Sequence, residues 1–379
     1  MTAFEIMQKH YRQRDLAARE WKKKGGKVVG YICDSVPEEI ILAAGFFPLR
    51  ISGDPNSGTD VADKFVIPEY EGFVRSMLNM LLTGRYDFLD FLVIPHARDA
   101  VHQIYAILSD VKSSDPTLKL PVLYFFDNLH TTFHLSQVYN REQVIAFKQK
   151  LEEWSGSKIS NASLSKAIII GNENKMLLKK MAALRATDPP CISGVEALQI
   201  IGSSMFMLKE DHNKLLQEFL NEDHQLSGSK GVRLFVEGSP LDNLQLYEIV
   251  ESCNATIIAE DNCWGNRYSD VPIDTSLDPF EAIVDRYHRK SPCPFVYPME
   301  EKVNYCVKNV LEAKAQGLIQ NVLECDSIQV WEIPHETKAL EEKGVPTLSL
   351  KQQPYLLSES DKEKLKTHAT AFISSLPQK

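Results

Sequence analysis

The chain has 379 residues, of which 44% are hydrophobic and 25% are charged, as in ordinary globular proteins. A formal net charge of −9 argues against nucleic acids and membranes as partners, because phosphate binding needs a clustered basic surface. No apolar run approaches the ~18 residues of a membrane span, and the charged N-terminus resembles neither a signal peptide nor a transit peptide. Seven scattered cysteines fit reduced thiols better than a disulfide framework. We therefore expect a cytoplasmic protein of about two or three domains.

The first part of the chain alternates predicted strands with predicted helices. Residues 1–24 form a helical lead-in that ends at Gly25 and Gly26. The apolar runs predict strands at 28–32, 49–51, 91–94 and 122–126, with helices at 73–82 and 100–108. Residues 141–222 look helical almost throughout, because their apolar positions recur at intervals of three and four.

A second alternating run follows a loop predicted at 225–231. Its strands are predicted at 234–237, 256–259, 317–323 and 347–350, and its helices at 242–253 and 336–343. Strands that alternate with helices at this spacing form parallel sheets with right-handed crossovers. We therefore predict an α/β fold with two doubly wound parallel-sheet domains of the Rossmann or flavodoxin-like kind. The expected segments are a helical lead-in at 1–24, a first α/β domain at 25–145, a helical segment at 146–228 and a second α/β domain at 229–379.

Both α/β runs begin with a strand that leads into a serine, a proline and a carboxylate. The first has Ser35 and Glu38 at the spacing of a helix capping box, and the second has Ser239 and Asp242 at similar positions. Open α/β sheets bind ligands where such helices begin, at the carboxyl ends of the strands. Ser35 and Glu38 are therefore candidate catalytic residues. The alternative is that they only cap a helix.

Other motifs are weaker. No G-x-G-x-x-G follows a strand and no C-x-x-C is present. His130 and His134 could share a helix face, but without a third ligand nearby we interpret them as surface histidines. Cys263 and Cys325 each follow a predicted strand and so point toward a crevice, with a purely structural role as the alternative.

Several segments together resemble the family of 2-hydroxyacyl-CoA dehydratase and benzoyl-CoA reductase subunits. They fall in the family's order and cover the chain from about residue 25 to 355. The segments are VVGYICDSVPEEIILAAGFFPLRI, FVRSMLNMLLTGRYDFLDFLVIPHARDAVHQIY, EDNCWGNRY, DRYHRKSPCP, GLIQNVLECDSIQ and EEKGVPTLSL. Within the family, the chain is most similar to the smaller, beta subunits of the dehydratases.

This resemblance implies one subunit of a heterodimeric radical dehydratase. The expected reaction removes water from a 2-hydroxyacyl-CoA, first of all (R)-2-hydroxyglutaryl-CoA, which gives glutaconyl-CoA. Ordinary acid–base catalysis cannot easily do this, because no carbonyl acidifies the β-proton. In the family, an ATP-dependent iron–sulfur activator protein adds one electron, and the resulting ketyl radical expels the hydroxyl group. The resemblance also implies a 4Fe–4S cluster and FMN in the complex, although nothing in the sequence locates a flavin site.

The resemblance further indicates where cluster ligands would stand. Family subunits that hold a cluster use three cysteines. Here Glu71 occupies the first position, Arg98 occupies the second, and only Cys325 is kept as a remnant of the third. One thiolate cannot hold a four-iron cluster, so we expect the cluster on a larger alpha subunit. We also expect a salt bridge between Glu71 and Arg98.

Two other functions fit the same segments. One is a subunit of an aromatic acyl-CoA reductase of the benzoyl-CoA type. The other is a non-catalytic scaffold subunit, which the loss of cysteines at Glu71 and Arg98 would favour. The missing ligands favour a single-cluster dehydratase over a reductase, because reduction needs more electrons.

Overall fold

The computed structural model describes residues 1–222 and 231–377. The predicted loop at 225–231 and the boundary between 228 and 229 lie almost entirely outside the described residues. The chain divides into two compact units. Unit 1 comprises Met1–Met176, Ser203–Leu215 and Val271–Lys290, and unit 2 comprises Leu177–Gly202, Leu216–Asp270 and Ser291–Lys379.

Unit 1 is built on a four-stranded parallel sheet. Its strands are β1 (Val28–Tyr31), β2 (Phe47–Arg50), β3 (Phe91–Pro95) and β4 (Val122–Phe126), in the order β2-β1-β3-β4. Its helices are α1 (Ala3–Arg12), α2 (Leu16–Lys23), α3 (Glu38–Ala43), α4 (Gly72–Leu82), α5 (Asp99–Ser114) and α6 (His134–Ser155). Three further helices, α7 (Asn161–Ala186), α8 (Gly194–Ser203) and α9 (Lys209–Leu220), contain residues of both units.

The core of unit 1 lies where α3 and α6 cover the sheet. Val29, Tyr31 and Val93 on the strands belong to one buried cluster with Ile40 of α3 and Phe147 of α6. Strands buried on both faces read as continuous apolar runs, which is why the sequence shows no alternation here.

Unit 2 repeats this architecture. Its strands are β5 (Val232–Gly238), β6 (Ala255–Asp261), β7 (Gly317–Leu323) and β8 (Thr347–Gln353), all parallel, in the order β6-β5-β7-β8. Its helices are α10 (Gln245–Glu251), α12 (Glu300–Glu312), α13 (Gln329–Glu341) and α14 (Glu359–Ser375), while α11 (Pro279–His288) belongs to unit 1. Because β1 and β5 hold the same place in their sheets, the strand order of the two units is the same. The predicted α/β fold with two parallel sheets is confirmed.

Gly238 ends β5 in a conformation that only glycine tolerates. Its φ is +127°, and a Cβ placed there would lie 2.1 Å from the carbonyl oxygen of Asn321 on β7. The next amide, that of Ser239, donates to the same carbonyl at 2.9 Å. The ends of β5 and β7 therefore meet without any intervening side chain.

Several predicted helices differ from the structure. The lead-in is two helices, separated at 13–15. The helix predicted at 242–253 begins only at Gln245, because the Asp242 carboxylate accepts hydrogen bonds from the Tyr355 hydroxyl at 2.9 and 3.0 Å. The helix predicted at 336–343 begins earlier, at Gln329. Within the described parts of the chain, no helix combines the length and apolar content needed to cross a membrane.

Candidate active site

Polar residues follow the carboxyl ends of three neighbouring strands in unit 1. Ser35 follows β1, Arg98 follows β3 and Asp127 follows β4. The carboxyl ends of parallel strands meet at one edge of the sheet, which is where α/β proteins bind ligands. Cys33, two residues after the end of β1, has a φ of +63° and lies between this strand and α3. This edge is the candidate site of unit 1.

The predicted capping box between Ser35 and Glu38 is wrong. Helix α3 begins at Glu38 with Pro37 at its N-cap, and this N-cap residue makes no side-chain hydrogen bond to the first turn. The Ser35 side chain is 3% exposed, and its Oγ has no hydrogen-bond partner in residues 1–222 and 231–377. Leaving a buried hydroxyl unpaired costs about 1–3 kcal/mol. Capping therefore does not explain Ser35, and its hydroxyl is available to a ligand.

The Glu38 carboxylate forms hydrogen bonds with residues of other elements. Its Oε2 accepts hydrogen bonds from the Tyr31 hydroxyl at 2.8 Å and from Lys209 Nζ at 3.2 Å. Burial and then the charge of Glu38 raise the pKa of Tyr31 well above its ordinary value, so the phenol stays protonated as the donor. The structure places Ser35 and Glu38 at the same edge but does not join them.

Glu39 forms a second buried ion pair on the same helix. Its carboxylate accepts from Lys175 Nζ at 3.0 Å and from the Tyr287 hydroxyl at 2.7 Å. Burial alone would raise the pKa of Glu39, but Lys175 and Tyr287 outweigh burial and keep the pKa below its ordinary value. These bonds anchor α3 and fix the segment that carries Ser35.

Glu71 and Arg98 form the expected salt bridge. Arg98 Nη1 lies 3.0 Å from Glu71 Oε1, and the two side chains are 6% and 9% exposed. Glu71 precedes α4 and Arg98 precedes α5, so the pair joins the starts of two helices. A guanidinium group has no lone pair for a metal, and here it also occupies the carboxylate. These two residues do not fit an iron–sulfur cluster.

Sequence reasoning missed a histidine at this edge. His96 Nδ1 lies 2.7 Å from Asp127 Oδ1, and the Tyr139 hydroxyl donates to Asp127 Oδ2 at 2.5 Å. Burial alone would raise the pKa of Asp127, but the bonds from Tyr139 and His96 lower it. The position of His96 two residues before Arg98, in a segment quoted for the family, was the only signal for it.

Ser239 follows β5 in unit 2 as Ser35 follows β1 in unit 1, but the Ser239 hydroxyl both donates and accepts a hydrogen bond. Its Oγ donates to Asp326 Oδ2 at 2.5 Å and accepts from the Leu323 amide at 3.0 Å. Cys325, beside Asp326, is exposed and has a φ of +66°. The repeat therefore contains one structural serine and one serine with an available hydroxyl.

A buried charge cluster lies beneath the carboxyl edge of unit 2. Lys302 Nζ is 3.0 Å from Glu237 Oε2, 3.0 Å from Asp261 Oδ2 and 2.8 Å from Glu336 Oε1, and all four side chains are 0–1% exposed. Arg267 Nε lies 2.6 Å from Asp261 Oδ1. No sequence pattern indicates this cluster, because Lys302 and Glu336 stand in helices whose charges look solvent-facing.

The same cluster contains a group of possible metal ligands. Ligand atoms of Glu237, Cys306 and Glu336 lie within 4.8 Å of one another. However, the ammonium group of Lys302 already bonds both carboxylates, so a cation stands in the position that a metal would take. Burial also raises the pKa of Cys306 well above its ordinary value and keeps the thiol protonated. We conclude that this group is an ion-pair network.

Two four-stranded parallel sheets with polar groups at their carboxyl edges define an α/β protein with two flavodoxin-like units. Residues 33–376 match the family described as 2-hydroxyglutaryl-CoA dehydratase, D-component, and the chain belongs to this family.

Characterised relatives agree with this assignment. The chain is 23% identical over 372 residues to the (R)-phenyllactyl-CoA dehydratase beta subunit of Clostridium sporogenes, an alignment that covers 94% of each chain. It is 24% identical over 378 residues to one subunit of the benzoyl-CoA reductase of Thauera aromatica, over 95% of this chain and 94% of that one. It is 22% identical to the (R)-2-hydroxyglutaryl-CoA dehydratase beta subunit of Acidaminococcus fermentans, over 87% and 88%. The relatives differ in acyl group, so membership of the family does not fix the substrate.

Proposed function

We propose that this chain is the beta subunit of a cytoplasmic, heterodimeric dehydratase that removes water from a 2-hydroxyacyl-CoA. The observation that carries the proposal is the family match over residues 33–376. Relatives named as dehydratase beta subunits, which align over 87–95% of the chain, support the subunit role. (R)-2-hydroxyglutaryl-CoA is the first candidate substrate, because the family description names it.

We place the 4Fe–4S cluster on the larger alpha subunit. The buried Glu71–Arg98 pair supports this placement, since it offers no iron ligands at two of the three positions that the resemblance implies. The ATP-dependent activator protein and FMN belong to the proposal as parts of the complex. This chain would then contribute the carboxyl edge of its first sheet, with its partly buried polar groups, to the substrate site of the complex.

Ser35 is the residue of unit 1 that we assign to the substrate. Its buried Oγ lacks a partner within the described chain, and it follows β1 at the edge where ligands bind. We propose that it donates a hydrogen bond to a polar group of the acyl thioester. Glu38, whose carboxylate is held by Tyr31 and Lys209, would position the segment.

Ser35→Ala separates this role from a structural one. We expect the free energy of unfolding to stay unchanged or to rise by up to about 1–3 kcal/mol, because the variant removes an unpaired buried hydroxyl and no protein hydrogen bond is lost. Turnover of the complex should fall. Ser239→Ala is the matched control and should lose about 1–3 kcal/mol, because Asp326 would lose its donor. Chemical unfolding and dehydration assays measure both. Equal destabilisation of the two variants, with unchanged turnover for Ser35→Ala, would contradict the assignment.

The function is tested on the complex purified with its partner subunit and activator. We expect dehydration of at least one of (R)-2-hydroxyglutaryl-CoA, lactoyl-CoA and (R)-phenyllactyl-CoA, and no stoichiometric iron in this subunit alone. Reduction of benzoyl-CoA without dehydration would favour the reductase, for which the Thauera relative is the supporting observation. No activity in an iron-complete complex would favour the scaffold. About four irons per isolated chain would overturn the placement of the cluster.

A further inference from the structure

We propose that His96 in unit 1 is the base that removes the β-proton of the 2-hydroxyacyl thioester. Asp127 and Tyr139 would position its imidazole ring, and Ser35 at the same edge would hold the thioester, as proposed above. All four residues belong to unit 1. This inference rests on the proposed function and assigns it a proton acceptor.

Neighbouring strands bring these residues to one edge of one sheet. Strand β3 lies between β1 and β4, and adjacent strands are about 4.8 Å apart. His96 directly follows β3 and Asp127 directly follows β4, while Ser35 lies on the segment that follows β1. The His96 amide donates to the Phe126 carbonyl at 2.8 Å. The strand pairing therefore continues to His96 and sets its side chain beside that of Asp127.

The imidazole ring is open to a ligand from solvent. The side chains of His96 and Asp127 are 43% and 34% exposed. Tyr139, which approaches Asp127 from α6, is exposed as well. A thioester can therefore reach the ring without displacing a side chain of the core.

Asn128 adds a buried acceptor next to Asp127. The residue is 7% exposed, and its Oδ1 has no hydrogen-bond partner among the described residues. Nearly all buried polar groups in proteins are paired, so unpaired ones at a ligand-binding edge support a bound molecule there. Ser35 offers a donor hydrogen and Asn128 offers an acceptor oxygen. A 2-hydroxyacyl thioester has the complementary groups, since its carbonyl oxygen accepts and its α-hydroxyl donates.

The partners of the ring decide which nitrogen can take a proton. His96 Nδ1 lies 2.7 Å from Asp127 Oδ1, and the Tyr139 hydroxyl donates to Asp127 Oδ2 at 2.5 Å. These two bonds outweigh burial and lower the pKa of Asp127, so its carboxylate can only accept hydrogen bonds. Nδ1 therefore carries the hydrogen, and Nε2 of the neutral ring keeps a lone pair. This is the arrangement of a general base that a carboxylate orients.

Three further titratable groups lie around the ring. The ring centre of His102 on α5 is 5.7 Å from that of His96, and His130 Nε2 lies 2.7 Å from the His96 carbonyl oxygen. The third group is Tyr139, and its bond to Asp127 raises the pKa of the phenol, which stays protonated. Asp127 is bonded to the ring as an anion, so it stabilises the imidazolium that forms when the ring takes a proton.

The proposed step balances with the electron that the iron–sulfur activator protein supplies. Hydroxide leaves the α-carbon of the ketyl radical with the bonding electrons. The β C–H bond then breaks, His96 Nε2 takes the proton, and the electrons of that bond enter the new double bond of the enoyl thioester. The imidazolium passes its proton to the hydroxide, which gives water. The supplied electron is returned at the end, so no net oxidation or reduction takes place.

His96→Gln tests the proposal, because the amide is polar but cannot take a proton. In the complex with partner subunit and activator, we expect turnover of (R)-2-hydroxyglutaryl-CoA, or of whichever 2-hydroxyacyl-CoA the wild type accepts, to fall at least ~100-fold. His134→Gln, at an exposed position on α6, is the control and should match wild type. A wild-type complex inactive on every 2-hydroxyacyl-CoA would contradict the proposed function. An active wild type with His96→Gln within about twofold of it would contradict the role of His96.

A substrate deuterated at the β-carbon separates a base from a structural residue. If His96 takes the β-proton, removal of that proton becomes the slow step when the base is lost. The isotope effect on turnover should therefore be larger in His96→Gln than in wild type and His134→Gln. A structural role would lower turnover and leave the isotope effect unchanged, and that result would overturn the proposal.

Asp127→Asn tests the positioning of the ring with a readout that does not depend on activity. The new amide can donate to Nδ1, which moves the ring hydrogen to Nε2. Nitrogen NMR of the full chain with labelled histidine should show His96 with its hydrogen on Nδ1 in wild type and on Nε2 in Asp127→Asn. A hydrogen on Nε2 in wild type would overturn the proposal.

Turnover of the Asp127→Asn complex should fall at least ~100-fold, because Nε2 then lacks the lone pair that takes the proton. If His96→Gln does not fold, this variant replaces it. Unchanged turnover in Asp127→Asn, with the ring hydrogen moved to Nε2, would contradict the role of His96 as the base.

Discussion

Lys302→Met lowers the free energy of unfolding by about 3–5 kcal/mol, and we expect the loss to be greatest at alkaline pH. The variant removes the ammonium group that bonds Glu237, Asp261 and Glu336, and all three carboxyl groups stay buried. Breaking a buried ion pair from one side costs more than the pair contributes, because the remaining charges have neither water nor a partner.

The sign of the pH dependence follows from the pKa values in the folded protein. Burial and mutual repulsion already raise the pKa of Glu237, and without Lys302 the pKa values of its neighbours should rise too. A carboxyl group whose folded pKa lies above its unfolded pKa contributes stability below the unfolded pKa. That stability is lost as the pH rises through the folded pKa. Lys302→Met should therefore approach wild type in acid.

Chemical unfolding at several pH values measures the effect. Lys308→Met is the matched control, because Lys308 lies on the same helix with a side chain that is 69% exposed. It should stay within about 0.5 kcal/mol of wild type at every pH. If Lys302→Met were as stable as Lys308→Met at alkaline pH, the ion-pair network would not be the stabilising unit described above.

Removal of one member of the Glu71–Arg98 pair should have an effect of similar size. Glu71→Gln leaves a guanidinium group that is 6% exposed without its carboxylate, and we expect a loss of about 3–5 kcal/mol. Replacing both residues, as Glu71→Leu with Arg98→Met, should recover most of that loss, because no charge is then left buried. A double-mutant cycle by chemical unfolding, in which Glu71→Leu and Arg98→Met are also measured singly, gives the coupling.

The exposed Glu69 supplies the control for this cycle. Glu69→Gln should leave stability unchanged within about 0.5 kcal/mol. Additive losses in the double variant would show that Glu71 and Arg98 do not act as a pair. The cycle also bears on the placement of the cluster, because a pair that holds two helix starts together has a structural reason to replace cysteines.

The sheets were predictable because continuous apolar runs, such as those of β1 and β3, are typical of strands that are buried on both faces. The start of α3 could not be predicted correctly, because Ser35 and Glu38 have the spacing of a capping box. Tyr31 and Lys209, which lie 7 and 171 residues from Glu38, take its carboxylate instead. Local spacing cannot show competition from distant partners.

The buried charge cluster in unit 2 could not be predicted, for a related reason. Lys302 meets Glu237 across 65 residues and Glu336 across 34, so no local pattern marks the cluster. Likewise, no rule of periodicity distinguishes a buried Glu332 from an ordinary charged position on a helix. The Cys325 position and the Glu71–Arg98 pair could be found only through the family resemblance. Only the structure could show that the Ser35 hydroxyl has no hydrogen-bond partner among the described residues, because this depends on where the neighbouring side chains lie.

The contact at Gly238 has a consequence for the chemistry of α13. A single methyl group there would meet the Asn321 carbonyl at 2.1 Å and push the end of β5 away from β7. Ser239 holds Asp326, and Asp326 holds the first amide of α13, so the helix would move with it. Glu332 on α13 is 3% exposed, and burial raises its pKa to about 7. Water could then reach this carboxyl group, and its pKa would fall toward the ordinary value. A residue without a side chain thus sets how acidic a distant one can be.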